Sequence, residues 1–377
     1  MKRVWLDLHR WMGLKLSILI SFVLITGTLA TVSHEIDWLI DPARRVLPVH
    51  EAETYDWQGM ADAARTARPD WSVEWIAAPL DPWFAAEAVA LTDEGERRRL
   101  FIHPGTLAVQ GEGGWFNAQR LFRDSHRRLM IFNAYGIILV SSLSILLIVS
   151  LISGLFVYKK FWRGFFKKPR TRDPRTLWGD LHRLGGVWSI WFIIVIALTG
   201  LWYLAEATGR LAGLTVGPFP EQVPYHDAAT VQPVIPDFVS LNDMAASARG
   251  ALPGYRIDQV FLPRYADEPV RFHGHTDAIL VRGRGNAVSL DARTGRIVGI
   301  VDGHTLTVMQ RVSEMADPLH FGTFGGWPTK LLYFLFGIIL SAMSLSGVYI
   351  FSARMRKAHQ RREASASRGA PMPEAAE

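Results

Sequence analysis

Cysteine is absent from all 377 residues. That absence excludes disulfides, iron–sulfur clusters, thiolate catalysis and the C-x-x-C-H attachment of c-type haem. Histidine is then the only strong nitrogen ligand left for a metal or a haem iron. Nucleotide and zinc-protease signatures are missing as well. No G-x-G-x-x-G opens a helix after a strand, and there is no Walker loop and no H-E-x-x-H. Electrons for any reduction must therefore come from a partner or from quinol rather than from a bound nicotinamide. Charge is sparse, at 20% of residues against 49% hydrophobic. The net charge of +6 collects at helix ends and in a tail, which reads as membrane topology and not as a nucleic-acid footprint.

The apolar residues concentrate in four blocks, at 14–33, 135–158, 184–206 and 331–351. Each matches the roughly 20 residues needed to cross about 30 Å of hydrocarbon. The first follows Lys2 and Arg3 as a signal peptide would, but it is too long and lacks an A-x-A site, so it reads as a retained helix. The loop 159–183 carries Lys159, Lys160, Arg163, Lys167, Lys168, Arg170, Arg172, Arg175 and Arg183, and the tail 352–377 carries Arg354, Arg356, Lys357, Arg361 and Arg362. The positive-inside rule puts both in the cytoplasm, with both termini inside and segments 34–134 and 207–330 outside. Arg120, Arg123, Arg127 and Arg128 run against that bias at the outer end of the second block. Each outer segment opens with a helical stretch, at 57–66 and 241–251, and continues in alternating runs broken by turn residues. The expectation is two small α+β domains on a four-helix membrane protein, followed by about 15 disordered tail residues.

An internal repeat organises these parts. Leu8-His9-Arg10-Trp11-Met12-Gly13 matches Leu181-His182-Arg183-Leu184-Gly185-Gly186, and the same 173-residue offset carries Thr26-Gly27 onto Thr199-Gly200. Ser153-Gly154-Leu155-Phe156-Val157-Tyr158 resembles Ser346-Gly347-Val348-Tyr349, at an offset of 193 from Gly154 to Gly347. That second offset brings His126 within one residue of His320. The unit is helix, outer domain, helix, used twice about an axis along the membrane normal.

Placed on this frame, His9 and His182 form one matched pair at the inner ends of helices, and His126 and His320 another at the outer ends. His34 stands at the outer boundary without a mate, since its counterpart is Ala207. A twofold axis sets equivalent residues face to face, so each pair is suited to grip one haem-b iron from both sides. Two haems in series would make a transmembrane electron wire. The bland alternative is that histidines near helix ends merely hydrogen-bond in the headgroup region. Arg123 and Arg127 suit haem propionates or, equally, lipid phosphates. His273-Gly274-His275 places two imidazoles on one strand face as a possible metal site, with a polar strand surface the preferred reading. His50, His103, His226, His304 and His359 follow no usable pattern.

The motif Leu8-His9-Arg10-Trp11-Met12-Gly13, with Thr26-Gly27, Glu35-Ile36-Asp37 ahead of Asp41-Pro42, Leu319-His320 ahead of Gly325-Gly326, and Leu290-Asp291-Ala292-Arg293-Thr294-Gly295, resembles the PepSY-associated transmembrane family. The resemblance spans nearly the whole chain. It implies four helices and two periplasmic PepSY-like domains in a bacterial inner membrane. Several members of that family serve iron uptake, and some are haem-containing ferrisiderophore reductases. The implied ligands are His9, His126, His182 and His320, with His34 as a further candidate. One departure stands out: His103-Pro104-Gly105-Thr106 occupies the place of Asp-x-x-Thr-Gly in the first outer domain. The readings to separate are therefore a ferric-siderophore reductase, a non-enzymatic PepSY module binding a periplasmic partner, and a siderophore or iron permease. The few charges within the helices weigh against the last.

Overall fold

The computed structural model describes residues 2–15, 17–48, 54–216, 239–265 and 268–366. His50, His226 and the tail beyond 366 lie outside the described residues. Helices in chain order are α1 (Lys2–Lys15), α2 (Ser17–Thr31), α3 (Ser33–Ile40), α4 (Trp57–Ala67), α5 (Ala118–Arg128), α6 (Ala134–Val157), α7 (Pro174–Trp188), α8 (Ile190–Leu211), α9 (Leu241–Ala251), α10 (Val308–Phe321) and α11 (Gly326–Ala366). Strands are β1 (Ser72–Ala77), β2 (Ala86–Leu91), β3 (Arg97–Ile102), β4 (Val109–Gly114), β5 (Arg256–Phe261), β6 (Val270–His275), β7 (Ala287–Leu290) and β8 (Ile297–Val301). The chain divides into a helical unit (1–31, 124–208 and 327–377) and a sheet-bearing unit (32–123 and 209–326).

In the helical unit, α6, α8 and α11 are each long and apolar enough to cross a membrane. The N-terminal apolar block adds a fourth crossing only if α2 and α3 count as one broken span. Expected boundaries shift where local chemistry intervenes. Two helices meet in the third block: Asp173 caps α7, accepting from Thr176 N at 3.0 Å, and Ser189 separates α7 from α8, which is the helix long and apolar enough to cross. The histidine ahead of the second block lies on a helix of its own, α5. Leu129 and Met130 break it from α6 with φ of 51° and 59°. Asn133 then restarts the helix by accepting from Tyr135 N and Gly136 N. Gly136 is required there, because a Cβ would stand 2.5 Å from the Ile131 carbonyl oxygen.

In the sheet-bearing unit the expectation of two separate domains is corrected. Each half supplies a helix and a four-strand meander, but the halves share one eight-stranded antiparallel sheet in the order β4-β3-β2-β1-β5-β6-β7-β8. The join is the pairing of Trp75, Ile76 and Ala77 with Phe261, Val260 and Gln259. A lone four-stranded sheet would leave the β1 and β5 edges open, and pairing them removes both. One apolar core then runs beneath both halves. Ile76, Ala88, Leu100, Val260, Phe272 and Val288 from the sheet meet Trp57, Met60, Leu241 and Met244 from α4 and α9. Tyr255 crosses this core with its hydroxyl donating to the Phe272 and Asn286 carbonyls at 2.7 and 2.9 Å.

The departure at His103 leaves the turn intact. In the second half, Asp291 Oδ1 accepts from Arg293 N and Thr294 N at 3.0 and 2.8 Å, and Gly295 follows with φ 69°. In the first half, His103 Nδ1 accepts from Gly105 N and Thr106 N, both at 3.1 Å, and Leu107 follows with φ 60°. The imidazole nitrogen replaces the carboxylate oxygen, and Leu107 tolerates the left-handed conformation while packing against the core. Replacing His103 by Asp is expected to leave thermal stability unchanged, whereas His103→Ala should cost about 1 kcal/mol. Tryptophan-fluorescence melts of the detergent-solubilised protein check both.

Candidate functional site: paired histidines in the helical unit

His9 on α1 and His182 on α7 come together. Their ring centres are 6.3 Å apart and their planes stand at 83°. Each ring is fixed from behind by the neighbouring long helix. His9 Nδ1 donates to the Ser150 carbonyl at 3.0 Å and also meets Ser153 Oγ at 3.1 Å. His182 Nδ1 donates to the Met343 carbonyl at 3.1 Å and meets Ser346 Oγ at 3.2 Å. A carbonyl can only accept, so Nδ1 carries the proton on both rings and the lone pair sits on Nε2. The serine hydroxyls donate to the same two carbonyls, at 3.1 and 3.0 Å. Beside each serine a glycine faces the ring: a Cβ at Gly154 would lie 3.6 Å from His9, and one at Gly347 would lie 3.6 Å from His182. Every element of this arrangement occurs twice, 173 residues apart for the histidines and 193 apart for the carbonyls, serines and glycines.

The remaining candidates fall on three other helices. His126 on α5 donates from Nδ1 to the Val23 carbonyl of α2 at 2.8 Å, which again leaves the lone pair on Nε2. Gly27 makes this approach possible, since a Cβ there would stand 2.6 Å from His126 ring atoms. Arg127 follows His126 on α5. In the sheet-bearing unit, His34 lies on α3 and His320 near the end of α10. Arg123 reaches that end of α10, with its guanidinium carbon 5.8 Å from the centre of the Phe321 ring beside His320.

Buried carboxylates seat α5 and α10, which carry His126 and His320. Asp37, from the Glu35-Ile36-Asp37 motif, accepts from Ala118 N at 2.8 Å and Gln119 N at 3.1 Å, capping the positive end of α5. Glu314 of α10 is fully buried. Its two oxygens accept from Arg282 Nε at 2.8 Å, Arg282 Nη2 at 3.0 Å and Arg284 Nε at 2.9 Å, and Arg282 also holds Asp317. Such a network satisfies the charge that burial would otherwise penalise. Sequence reasoning missed Ser153, Ser346 and the two carboxylates. The serines were signalled by their place before the repeated glycines.

The family model for the PepSY-associated TM region matches residues 6–354. The chain belongs to the PepSY-associated transmembrane family. No curated protein matches it. The match of this PepSY-associated family covers both units, and His9, His126, His182 and His320 all fall within it.

The H-x-H strand differs from a metal site in its partners. His275 Nε2 forms an ion pair with Asp258 at 3.0 Å, while His273 rests against Phe261 with ring centres 4.7 Å apart. Among the described residues no group of three or more His, Cys, Asp or Glu side chains gathers as a metal site. Burial, reinforced by the charges of Arg271 and Arg284, pushes His273 down to about 4, whereas the hydrogen bond to Asp258 raises His275.

Gly27→Ala should displace His126, and heteronuclear NMR of histidine-labelled protein should show the His126 resonance moving while that of His182 stays fixed. For His273, the folded pKa lies below the usual 6.5, so the folded state binds fewer protons than the unfolded state between about 6.5 and 4. Stability should fall as pH drops through that window, by up to roughly 3 kcal/mol. His275 acts in the opposite sense: its contribution is full below 6.5 and is lost as pH rises through its elevated folded value. His273→Phe should therefore flatten the acid side of the denaturation profile.

Proposed function

We propose that this multi-pass membrane protein holds haem b and carries electrons across the bilayer to reduce a ferric chelate. The carrying observation is the His9–His182 pair, with ring centres 6.3 Å apart and each Nδ1 committed to a carbonyl and a serine. Two imidazoles on opposite sides of one metal, with metal–nitrogen distances of about 2 Å, have ring centres about 6 Å apart. A ligating histidine commonly donates its other ring N–H to a carbonyl, which fixes the tautomer and raises ligand basicity. The chemistry of the donor set therefore fits a bis-imidazole haem. When bound, haem supplies a one-electron Fe(III)/Fe(II) couple.

The roles of the chain's own residues follow. His9 and His182 would offer Nε2 to the iron, and Ser153 and Ser346 would hold the rings against rotation. His126, His320 and His34 are the ligand candidates for a second haem, with Arg123 and Arg127 as partners for its propionates. The cationic 159–183 loop and tail support cytoplasmic termini in a bacterial inner membrane, so that electrons enter from quinol or a cytoplasmic donor. The acceptor would be a ferric siderophore. One electron converts its Fe(III) to Fe(II), which hard oxygen donors hold less tightly. The matched contacts of the two halves support a duplicated helix–domain–helix architecture.

The test is spectroscopic. Protein from haem-replete cells should purify with a Soret band and a reduced b-type α band, and His9→Ala or His182→Ala should each abolish the same haem. A colourless protein with no haem by pyridine hemochrome assay overturns the proposal and leaves the partner-binding or permease readings. Ser153→Ala and Ser346→Ala should keep the haem but shift its midpoint potential, measured by spectroelectrochemistry.

A further inference from the structure

An open sheet has two edge strands, and the two edges here are finished differently. β4 is protected in the usual ways. Three of its six residues are glycine, and Glu112 pairs with Arg68. The 42–45 segment also lies along it: Gln110 Nε2 donates to the Arg45 carbonyl at 3.4 Å, and a Cβ at Gly111 would stand 2.8 Å from that of Ala43. The opposite edge, β8, has none of these devices. It reads Ile297-Val298-Gly299-Ile300-Val301, without charge or proline. Among the described residues it pairs on one side only, with β7.

The apolar core runs out at this edge. Register aligns a single row from Leu100 through Ile76, Val260, Phe272 and Val288 to Ile300. Every member before Ile300 is fully buried in the core shared with α4 and α9. Ile300 is 49% exposed, and Ile297 and Val298 beside it are 41% and 49% exposed. Covering these side chains is favourable by apolar area, and the open row of edge amides and carbonyls gives that attraction a direction.

The sequence along the edge is complementary to itself. When a second copy is laid antiparallel about Gly299, Ile297 falls opposite Val301 and Val298 opposite Ile300. One step further out, Arg296 falls opposite Asp302. Arg296 is exposed, and neither its guanidinium nor the Asp302 carboxylate has an ion-pair partner among the described residues. Asp302 Oδ1 accepts from His304 N at 2.9 Å, which leaves Oδ2 for a cation. Opposite charges facing each other across an antiparallel pair stabilise it, and like charges oppose it.

We propose that β8 is a dimerisation edge, where a second copy of this chain pairs antiparallel about Gly299 and joins the two sheets into one. The contact is isologous: each Arg296 meets Asp302 of the second copy, and each Ile300 meets its Val298. The twofold axis stands normal to the strands and to the sheet, so both copies keep α4 and α9 on the same side. The buried row then continues past Ile300 onto Val298 of the second copy. This contact does not depend on what the helical unit carries.

The chain has no cysteine, so single cysteines report the register without background. In native membranes, Gly299→Cys should form a disulfide-linked dimer on mild oxidation, because the two copies of that position lie about 5 Å apart. Arg296→Cys should not, since its two copies lie about 20 Å apart in this register. Light scattering of the full-length protein in detergent should give twice the chain mass. Arg296→Asp sets like charges opposite each other and should raise the dissociation constant about tenfold. Adding Asp302→Asn, which keeps a side-chain acceptor for His304 N, should recover much of that loss. Ile300→Lys should give monomers, and the exposed Arg296→Asp site keeps the test valid if Ile300→Lys does not fold. A protein that is monomeric in detergent and gives no Gly299→Cys crosslink in membranes overturns the proposal. So does a dimer indifferent to both Arg296→Asp and a folded Ile300→Lys. Crosslinking at Arg296→Cys as efficient as at Gly299→Cys overturns it as well.

Discussion

A carbonyl inside a membrane helix has no water to bond, so a side-chain proton aimed at it is held firmly and without competition. Three such bonds organise the helical unit, from His9 to Ser150, from His182 to Met343 and from His126 to Val23. Each ties a histidine-bearing helix to an apolar one and settles orientation and tautomer together. The long helices pack by the small-residue logic of membrane interiors. Ser21 meets Ser344 at 2.8 Å and Thr28 meets Ser341 at 3.3 Å. Gly337 lies against Thr28, and Gly200 lies against Ser144. These contacts need close backbone approach, which keeps the donor and acceptor atoms in register.

The sheet-bearing unit relies on carboxylates instead. Asp37 caps α5 and Glu314 anchors α10, so the helices leading into α6 and α11 are seated by buried ionic contacts, not by apolar packing alone. The sheet's two faces then divide the work. One face builds the shared core with α4 and α9, and the other presents arginines and aromatic rings. An alternating strand makes this division possible because successive side chains point to opposite faces.

Much of the arrangement was legible in the residues themselves. The repeated Leu-His-Arg motif and the repeated Ser-Gly pair are the two sides of the His9 and His182 sites, although their contact is invisible until α1 is laid on α6 and α7 on α11. The helices at 57–67 and 241–251 and the strand at 287–290 also lie where their periodicity places them. The single sheet was not legible, because strand pairing between distant segments leaves no local trace in an alternating pattern. The turn at His103 was obscured for a different reason: an imidazole nitrogen and a carboxylate oxygen are interchangeable as acceptors but not as letters. The separate helix α5 was hidden because Leu129 and Met130 adopt a conformation that a sequence usually signals with glycine.

The central pairing of β1 with β5 joins segments separated by about 180 residues, and between them the ribosome must make α6, α7 and α8. At about 5–20 residues per second, β1 exists for roughly 10–40 s before its partner has been synthesised. During that interval the first half presents an open strand edge and an uncovered share of the common core. Biogenesis of this protein is therefore a matter of timing as well as stability. Its first half must be kept from wrong partners until the second has been made to close the sheet.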